Sequence, residues 1–319
     1  MSTKSQTHVY LHDNKKTWFD AYRLLMFFCL NLIASPPHAD MDPFAERSLR
    51  IGVFMESFPY ISQTESEVGL KYWAEKIGKI KNIPVNLDFY PDSKSLSQDF
   101  NLGKVNLIVA SPLVIIKDFN RTDLAEGFRA IHAGNSSDNM IVVTRNDTGI
   151  KQFKDLKDKK IGMMANDAIG EMILDILTLN NFGNTFKKLF PKPLVAQKRS
   201  QLVMQLFFKQ VDAVLIYERS FEVAVELNPQ IKENTQIIEK FDKVHWGIGL
   251  FHPSVPKEFR ELVISTATQL GDAPSDQQML RIFEADRFER SSVNDLQLVD
   301  KLISQHKKLL NKFNIKDVH

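Results

Sequence analysis

One cysteine, Cys29, stands among 319 residues, and it falls in an apolar stretch near the N-terminus. A folded body without that stretch has no thiol, so disulfides and cysteine-based metal sites are excluded there. An excess of either charge is also missing: 41 Lys and Arg against 39 Asp and Glu leave a formal net charge of +2. Near-neutrality, with no basic stripe interleaved with aromatics, argues against a nucleic-acid-binding protein. No G-x-S-x-G, H-E-x-x-H, P-loop or G-x-G-x-x-G occurs in a fitting context, and no spaced acid pair makes a case for catalysis. Neither an enzyme nor a cofactor is expected.

The apolar run Leu24 to Ala34, LLMFFCLNLIA, is too short to span a bilayer comfortably, since a spanning helix needs about 20 residues. Lys15, Lys16 and Arg23 precede it and SPPHAD follows. Residues 1–39 therefore read as a secretory signal, cleaved after Ala34 or Ala39, or as a retained N-terminal anchor. Phe27 and Phe28 before Cys29 argue against a lipoprotein. The whole chain is 43% hydrophobic and 25% charged, ordinary for a protein that buries a core, and its length favours two lobes of roughly 100 to 130 residues.

The most informative stretch is Ile141 to Gly183. Ile141, Val142 and Val143 form a β-rich run; Asp147 to Gly149 is a turn; Ile161 to Met164 is a short strand. Ile169, Met172, Ile173, Ile176 and Leu177 then recur at helical spacing, with Asn181 to Gly183 as the stop. The turn Ala165 to Ala168 between strand and helix, with Asn166 and Asp167, is where an α/β domain places ligands.

Ahead of it, Leu49–Phe54 alternates as a strand and Glu65–Ile80 as a helix with Val68, Tyr72, Trp73 and Ile77 on one face. Val85–Tyr90 and Val105–Ala110 read as strands, with a helix ended by Gly103 between them. Ser111 followed by Pro112 is a helix start whose free N–H groups can receive an anion, or an ordinary cap. Phe128–Ala133 is a strand, and Asn135, Ser136 and Ser137 form a hinge-side polar loop. Val244–Phe251 reads as a returning strand containing His245 and Trp246; a lone histidine without spaced partners is structural rather than a metal ligand. A helix over 256–270 and a final amphipathic helix complete the chain.

Three stretches carry a resemblance: VVTRNDTGIKQFKDLKDKKIG from Val142, FFKQVDAVLI from Phe207 to Ile216, and VNLIVASPLVI from Val105 to Ile115. In this order, over roughly Arg50 to Ile303, the chain resembles the phosphonate and phosphate family of periplasmic solute-binding proteins that feed ABC importers. The resemblance implies an α/β, type II periplasmic-binding fold, each lobe a mixed sheet flanked by helices, joined by two crossover strands. Residues 49–138 and 245–319 would form lobe 1, wrapped by the C-terminal helix, and 139–244 lobe 2. It also implies a monomer with a small-molecule ligand and an ABC permease as partners. Cleft contacts would come from Glu56, Ser57, Phe58 and Tyr60, from Ser111, and from the turns of the second lobe.

Two turns depart from the family pattern. Its hydroxyl-rich anion turn is replaced by MANDAIGE, in which Asp167 and Glu171 compete with an anion for the positive helix end. Asp167 is then a cap or a group facing a cation or zwitterion. Where the family often has a His-Asp pair, this chain has Arg199 and Ser200, with Ser200 as the helix cap; Arg199 either grips an oxyanion through parallel hydrogen bonds or forms a solvated basic pair with Lys198. Tyr217 and Glu218, after the next strand, face the cleft as a stacking and an acceptor group, or belong to a surface turn. The expected function is capture of a small oxyanion-bearing solute, phosphate- or phosphonate-like, for an importer. The alternative is a periplasmic ligand sensor or partner-binding protein, handing its state to a membrane sensor protein.

Overall fold

The computed structural model describes residues 47–54, 63–132, 134–245, 247–271, 273–282 and 285–316. The signal or anchor segment and the turn with Glu56, Ser57, Phe58 and Tyr60 lie outside the described residues.

The chain opens with strand β1 (Leu49–Phe54), helix α1 (Gln63–Lys81), β2 (Val85–Tyr90), α2 (Ser93–Asn101), β3 (Leu107–Ala110) and α3 (Pro112–Asp118). β4 (Ala125–Ile131) ends the outward half, and β5 (Ser137–Arg145) begins the second lobe. There follow β6 (Ile161–Met164), α4 (Ala168–Phe182), α5 (Phe186–Leu189), β7 (Leu194–Ala196), α6 (Arg199–Phe207), β8 (Ala213–Tyr217), α7 (Glu218–Leu227), α8 (Gln230–Asn234) and β9 (Thr235–His245). The chain then returns through β10 (Ile248–Phe251), α9 (Lys257–Thr268), α10 (Pro274–Ile282), β11 (Arg287–Ser291) and α11 (Gln297–Lys312).

Two sheets result, ordered β11-β4-β10-β3-β1-β2 and β7-β6-β8-β5-β9. In the first, β1 runs parallel to β2 and β3, while β10 is antiparallel to both β3 and β4. In the second, β6 runs parallel to β7 and β8, and β5 is antiparallel to β8 and β9. Met140 sits opposite Tyr217, the last residue of β8, and Ser137 opposite His245, the last residue of β9. The crossover into the second sheet and the crossover out of it thus both lie at the edge where β6 and β8 end. That is the edge at which open α/β sheets hold their ligands.

Local rules account for three of the helix ends. Asp92 caps α2, Ser111 caps α3 with Pro112 at its first position, and Gly183 closes α4 in the left-handed region at φ 66°. The packed face of α1 differs from the expected one. Trp73, Ala74 and Ile77 are buried, whereas Val68 and Tyr72 are exposed. The helix turns its small residues to the sheet: a Cβ on Gly78 would meet Val85 at 2.9 Å and the Ile83 carbonyl oxygen at 3.0 Å. The expected single returning strand is also two elements, β9 in the second sheet and β10 in the first, separated by residues 246–247.

The first sheet has a core on each face, one around Trp73, Phe128 and Phe259 and one around Phe100, Ile108 and Leu250. The rings of Trp73, Phe128 and Phe288 lie 5.1 to 5.9 Å apart in tilted and edge-on contact. The second sheet likewise packs Phe153, Ile173 and Leu215 on one face and Leu202, Leu206 and Ile216 on the other. The C-terminal helix was expected to wrap the first lobe. Instead Val299, Leu302 and Ile303 pack into the core of the second sheet, because the apolar face of α11 meets α4 there.

Strands β4 and β10 approach so closely at Gly127 that an added Cβ would stand 2.1 Å from the Gly249 carbonyl oxygen. The obstacle is backbone, which cannot swing aside as a side chain can. Gly127→Ala is expected to cost about 2 kcal/mol or more in urea unfolding, at the upper end of overpacking effects. A loss below about 0.5 kcal/mol, the range of a neutral surface substitution, would show that the strand pair is looser than described.

Candidate functional site

The turn after β6 is built around one carboxylate. Asn166 takes a left-handed φ of 55°, the Ala165 N–H is held by the Ala196 carbonyl at 2.9 Å, and the Asp167 side chain accepts the Gly170 N–H at 2.9 Å. Asp167 therefore caps α4, as one of its two expected roles required. Gly170 makes room for it: a Cβ there would lie 2.7 Å from the Asp167 carboxylate. Asp167 is only 7% exposed. Burial pushes its carboxyl above the usual carboxylate range, and the Gly170 N–H and the field of Arg199 offset only part of that push.

Arg199 is the first residue of α6, and its guanidinium lies over the Tyr217 ring at 5.2 Å from the centroid. The cap of this helix corrects the sequence expectation. Lys198, not Ser200, holds the cap position, and Ser200 sits exposed inside the first turn. Gln201 reaches back from the third helical position, where its Oε1 accepts the N–H groups of Gln197 and Lys198 at 3.2 and 3.3 Å.

A third group, Asp138 at the start of β5, was not anticipated. Its carboxylate accepts the Asn139 N–H at 2.7 Å and the Arg219 N–H of the first turn of α7 at 3.3 to 3.4 Å. Burial raises its carboxyl too; the two N–H groups and Arg199 counter this, while neighbouring Glu218 adds to it. Glu218 itself accepts the Asn139 side-chain amide at 2.5 Å and pairs with Lys240 at 2.8 Å. Burial works to raise the Glu218 carboxyl, but these two partners together outweigh it and hold the group below its ordinary value. Arg219 turns away to Glu222 and Glu226. The Ser220 hydroxyl is buried and has no hydrogen-bond partner among the described residues.

Asn166, Asp167, Arg199, Tyr217 and Glu218 thus gather at one edge of the second sheet, joined by Asp138, Asn139 and Lys240. Ser111 lies at the corresponding edge of the first sheet, with its Oγ accepting the Val114 N–H at 3.4 Å. No local signal in GNSSDN marks Asp138; its place in the site follows from the pairing of β5 with β8, which sets Met140 opposite Tyr217. Among the described residues no group of three or more His, Cys, Asp or Glu could hold a metal ion, and no helix is long and apolar enough to cross a membrane.

A family model described as the phosphonate periplasmic substrate-binding protein of ABC transporters matches residues 56–296. The chain belongs to this family. Its members are exported, periplasmic transport components that bind a small molecule and work with an ABC permease. The phosphonate-family fold is matched by solved structures. A binding-protein component of an ABC phosphonate transporter from Pseudomonas aeruginosa superposes with a TM-score of 0.60 at 14% identity, over 83% of this chain and 88% of that one. PhnD1 from Prochlorococcus marinus, in complex with methylphosphonate, gives 0.59 at 14% identity over 84% and 100%. A Xanthomonas citri protein bound to ATP gives 0.58 at 12% identity over 83% and 99%. A search of curated proteins gave no match. In this phosphonate-family member the turn after β6 is capped by a carboxylate, and a guanidinium stands at the start of α6.

The raised Asp167 carboxyl fixes the sign of a pH effect. The folded state binds its proton more tightly than the unfolded chain, so wild type sheds stability as pH climbs from about 4, the ordinary aspartate value, through the higher folded value. Asp167→Asn keeps an acceptor for the Gly170 N–H but has nothing to ionise. The variant is expected to melt a few degrees above wild type at neutral pH, with the gap closing towards pH 4 in a thermal-unfolding series. The reverse order at neutral pH would mean that Arg199 and the helix end outweigh burial.

Proposed function

We propose that this protein captures, without chemistry, a small solute that carries both an oxyanion and a positively charged group, such as an aminoalkylphosphonate, and delivers it to an ABC permease. The observation that carries this reading is Arg199, set at the first residue of a helix, braced on the Tyr217 ring, and flanked by two carboxylates of raised proton affinity. A guanidinium at a helix start offers two parallel hydrogen bonds to a phosphonate, phosphate or sulfonate, with the helix dipole adding to its field. The methylphosphonate held by the Prochlorococcus relative fits that half of the reading.

The other half rests on Asp138 and Asp167. In each of the helices α4 and α7, a carboxylate of the chain itself already accepts a first-turn N–H. An incoming anion at those two positions would meet like charge. An ammonium beside Asp138 and Glu218 would instead relieve it. The buried Ser220 hydroxyl supplies a further donor for the oxyanion.

In this reading residues 1–39 direct export or anchor the chain. The lobes built on the first and the second sheet close by rotation about the two crossovers, and the protein works as a monomer. Glu56, Tyr60 and Ser111 meet the ligand from the first lobe. Asn166, Asp167, Arg199, Ser200, Tyr217 and Glu218 meet it from the second. Closure follows because the ligand touches both lobes only when they are shut. The carboxylates at the two helix ends also favour a second reading, a sensor whose cleft no longer takes up a transported anion and whose lobes address a membrane signalling protein.

Thermal unfolding against methylphosphonate, phosphate, ethanesulfonate, 2-aminoethylphosphonate and putrescine separates these. A solute at a hundred times its dissociation constant adds about 2.7 kcal/mol, enough to raise the midpoint by a few degrees. The zwitterion is expected to give the largest shift. Arg199→Ala should weaken every oxyanion by about tenfold or more, the loss of a charge-assisted hydrogen bond. Asp138→Asn should erase the advantage of 2-aminoethylphosphonate over methylphosphonate. A shift with putrescine alone would overturn the oxyanion half, and no shift with any of the five would turn the reading to the sensor.

A further inference from the structure

The helix that offers Asp167 to the cleft carries Asp175 roughly two turns further along, where the C-terminal helix lies beside it. Asp175 and His306 are buried, with side chains 10% and 5% exposed, and His306 Nε2 stands 2.5 Å from Asp175 Oδ2. The other carboxylate oxygen accepts the Phe186 N–H at 2.5 Å, which ties in the start of α5. Val299 and His306 in α11 and Phe313, which caps its end, are spaced seven residues apart. Val299 enters the second core, and the Phe313 ring packs on Gly183, where a Cβ would meet it at 3.0 Å. The base of the same helix is tied to the first lobe. Leu296 is fully buried in a core of the first sheet, Asp295 pairs with Arg129 of β4, and Asp300 pairs with Arg121, which follows α3.

We propose that Asp175 and His306 are positioning residues for the ligand site: their bond sets the register of α4 against the C-terminal helix, and so fixes the Asp167 turn in the cleft. The inference rests on the reading of that cleft given above. Apart from an exposed ion pair of Glu171 with Lys187 at 2.7 Å, the other packing contacts of α4, through Ile169, Ile173, Leu174 and Leu177, are apolar and non-directional, and they tolerate a slide along the helix axis. A short, buried hydrogen bond to a carboxylate does not tolerate it, since a slipped pair leaves an unmet buried carboxylate. One continuous helix of 15 residues then carries the setting from Asp175 to its cap. Because α11 is rooted in the first lobe, the cleft face of the second lobe is registered against both.

Amide hydrogen exchange on the ligand-free protein tests this, and its outcome does not depend on which solute binds. The reporters are the N–H groups of Gly170 and Glu171, bonded to the Asp167 side chain and carbonyl at 2.9 and 2.8 Å. His306→Leu is expected to speed their exchange about tenfold, and His306→Gln, which keeps a donor, to restore most of it. Faster exchange confined to residues 185–190 and 299–312, with Gly170 and Glu171 unchanged, would overturn the proposal. If His306→Leu fails to fold, wild type in rising urea decides. Gly170 to Leu174 should open with the same free energy as Val299 to Leu310, and α11 opening alone at lower urea would overturn it.

Discussion

Arg199 must answer for two carboxylates, Asp167 buried and Asp138 half-buried. Asp138 and Asp167 reach the same edge of the second sheet from different strands, and each has spent part of its hydrogen-bonding capacity on a helix N–H. What remains is negative charge in a poorly hydrated place, and the guanidinium braced on Tyr217 is the cation that stands in the field of both. The rest of the site is arranged around that balance. Glu218 is drawn off to Asn139 and Lys240, and Arg219 to Glu222 and Glu226, so neither disturbs it strongly.

The topology makes such a gathering possible. The strands β6 and β8 end where β5 begins and β9 ends, so the turns after two parallel strands and both crossovers share one rim. A charge placed at any of four chain positions far apart in sequence falls within reach of the others. The same rim is where rotation about the crossovers would bring the first lobe, with Ser111 at the start of α3, onto whatever the second lobe holds.

Much of this was legible in the residues. The helix 168–182 announced itself by its apolar period and by Gly183, and Ser111 with Pro112 marked a cap because both residues have one local use there. Asp167 was legible as a cap for the same reason. What was not legible depends on pairing across distance. Asp138 looked like one polar residue in a polar loop, since nothing local says that Met140 will lie opposite Tyr217. β9 was missed because an edge strand half open to water, TQIIEKFDKVH, carries too little alternation to separate it from a surface segment. The cap of α6 was placed at Ser200, two residues late, because serine is a usual cap residue and nothing local marks Lys198 as one. The amphipathic face of the last helix gave its existence, but a stripe of apolar residues does not say which lobe will cover it.

Asn166 carries a consequence for how this site can change over generations. Its backbone sits at φ 55°, a conformation that asparagine and glycine accept and that serine and above all β-branched threonine resist, at a cost of about 1 kcal/mol or more. Restoring a hydroxyl-rich turn here would therefore need the loop to be rebuilt, not merely respelled one codon at a time. Drift among close descendants of this protein should run through the side chains around Arg199, where the backbone is ordinary helix and strand, while the Asn-Asp pair stays as an inherited commitment of the main chain.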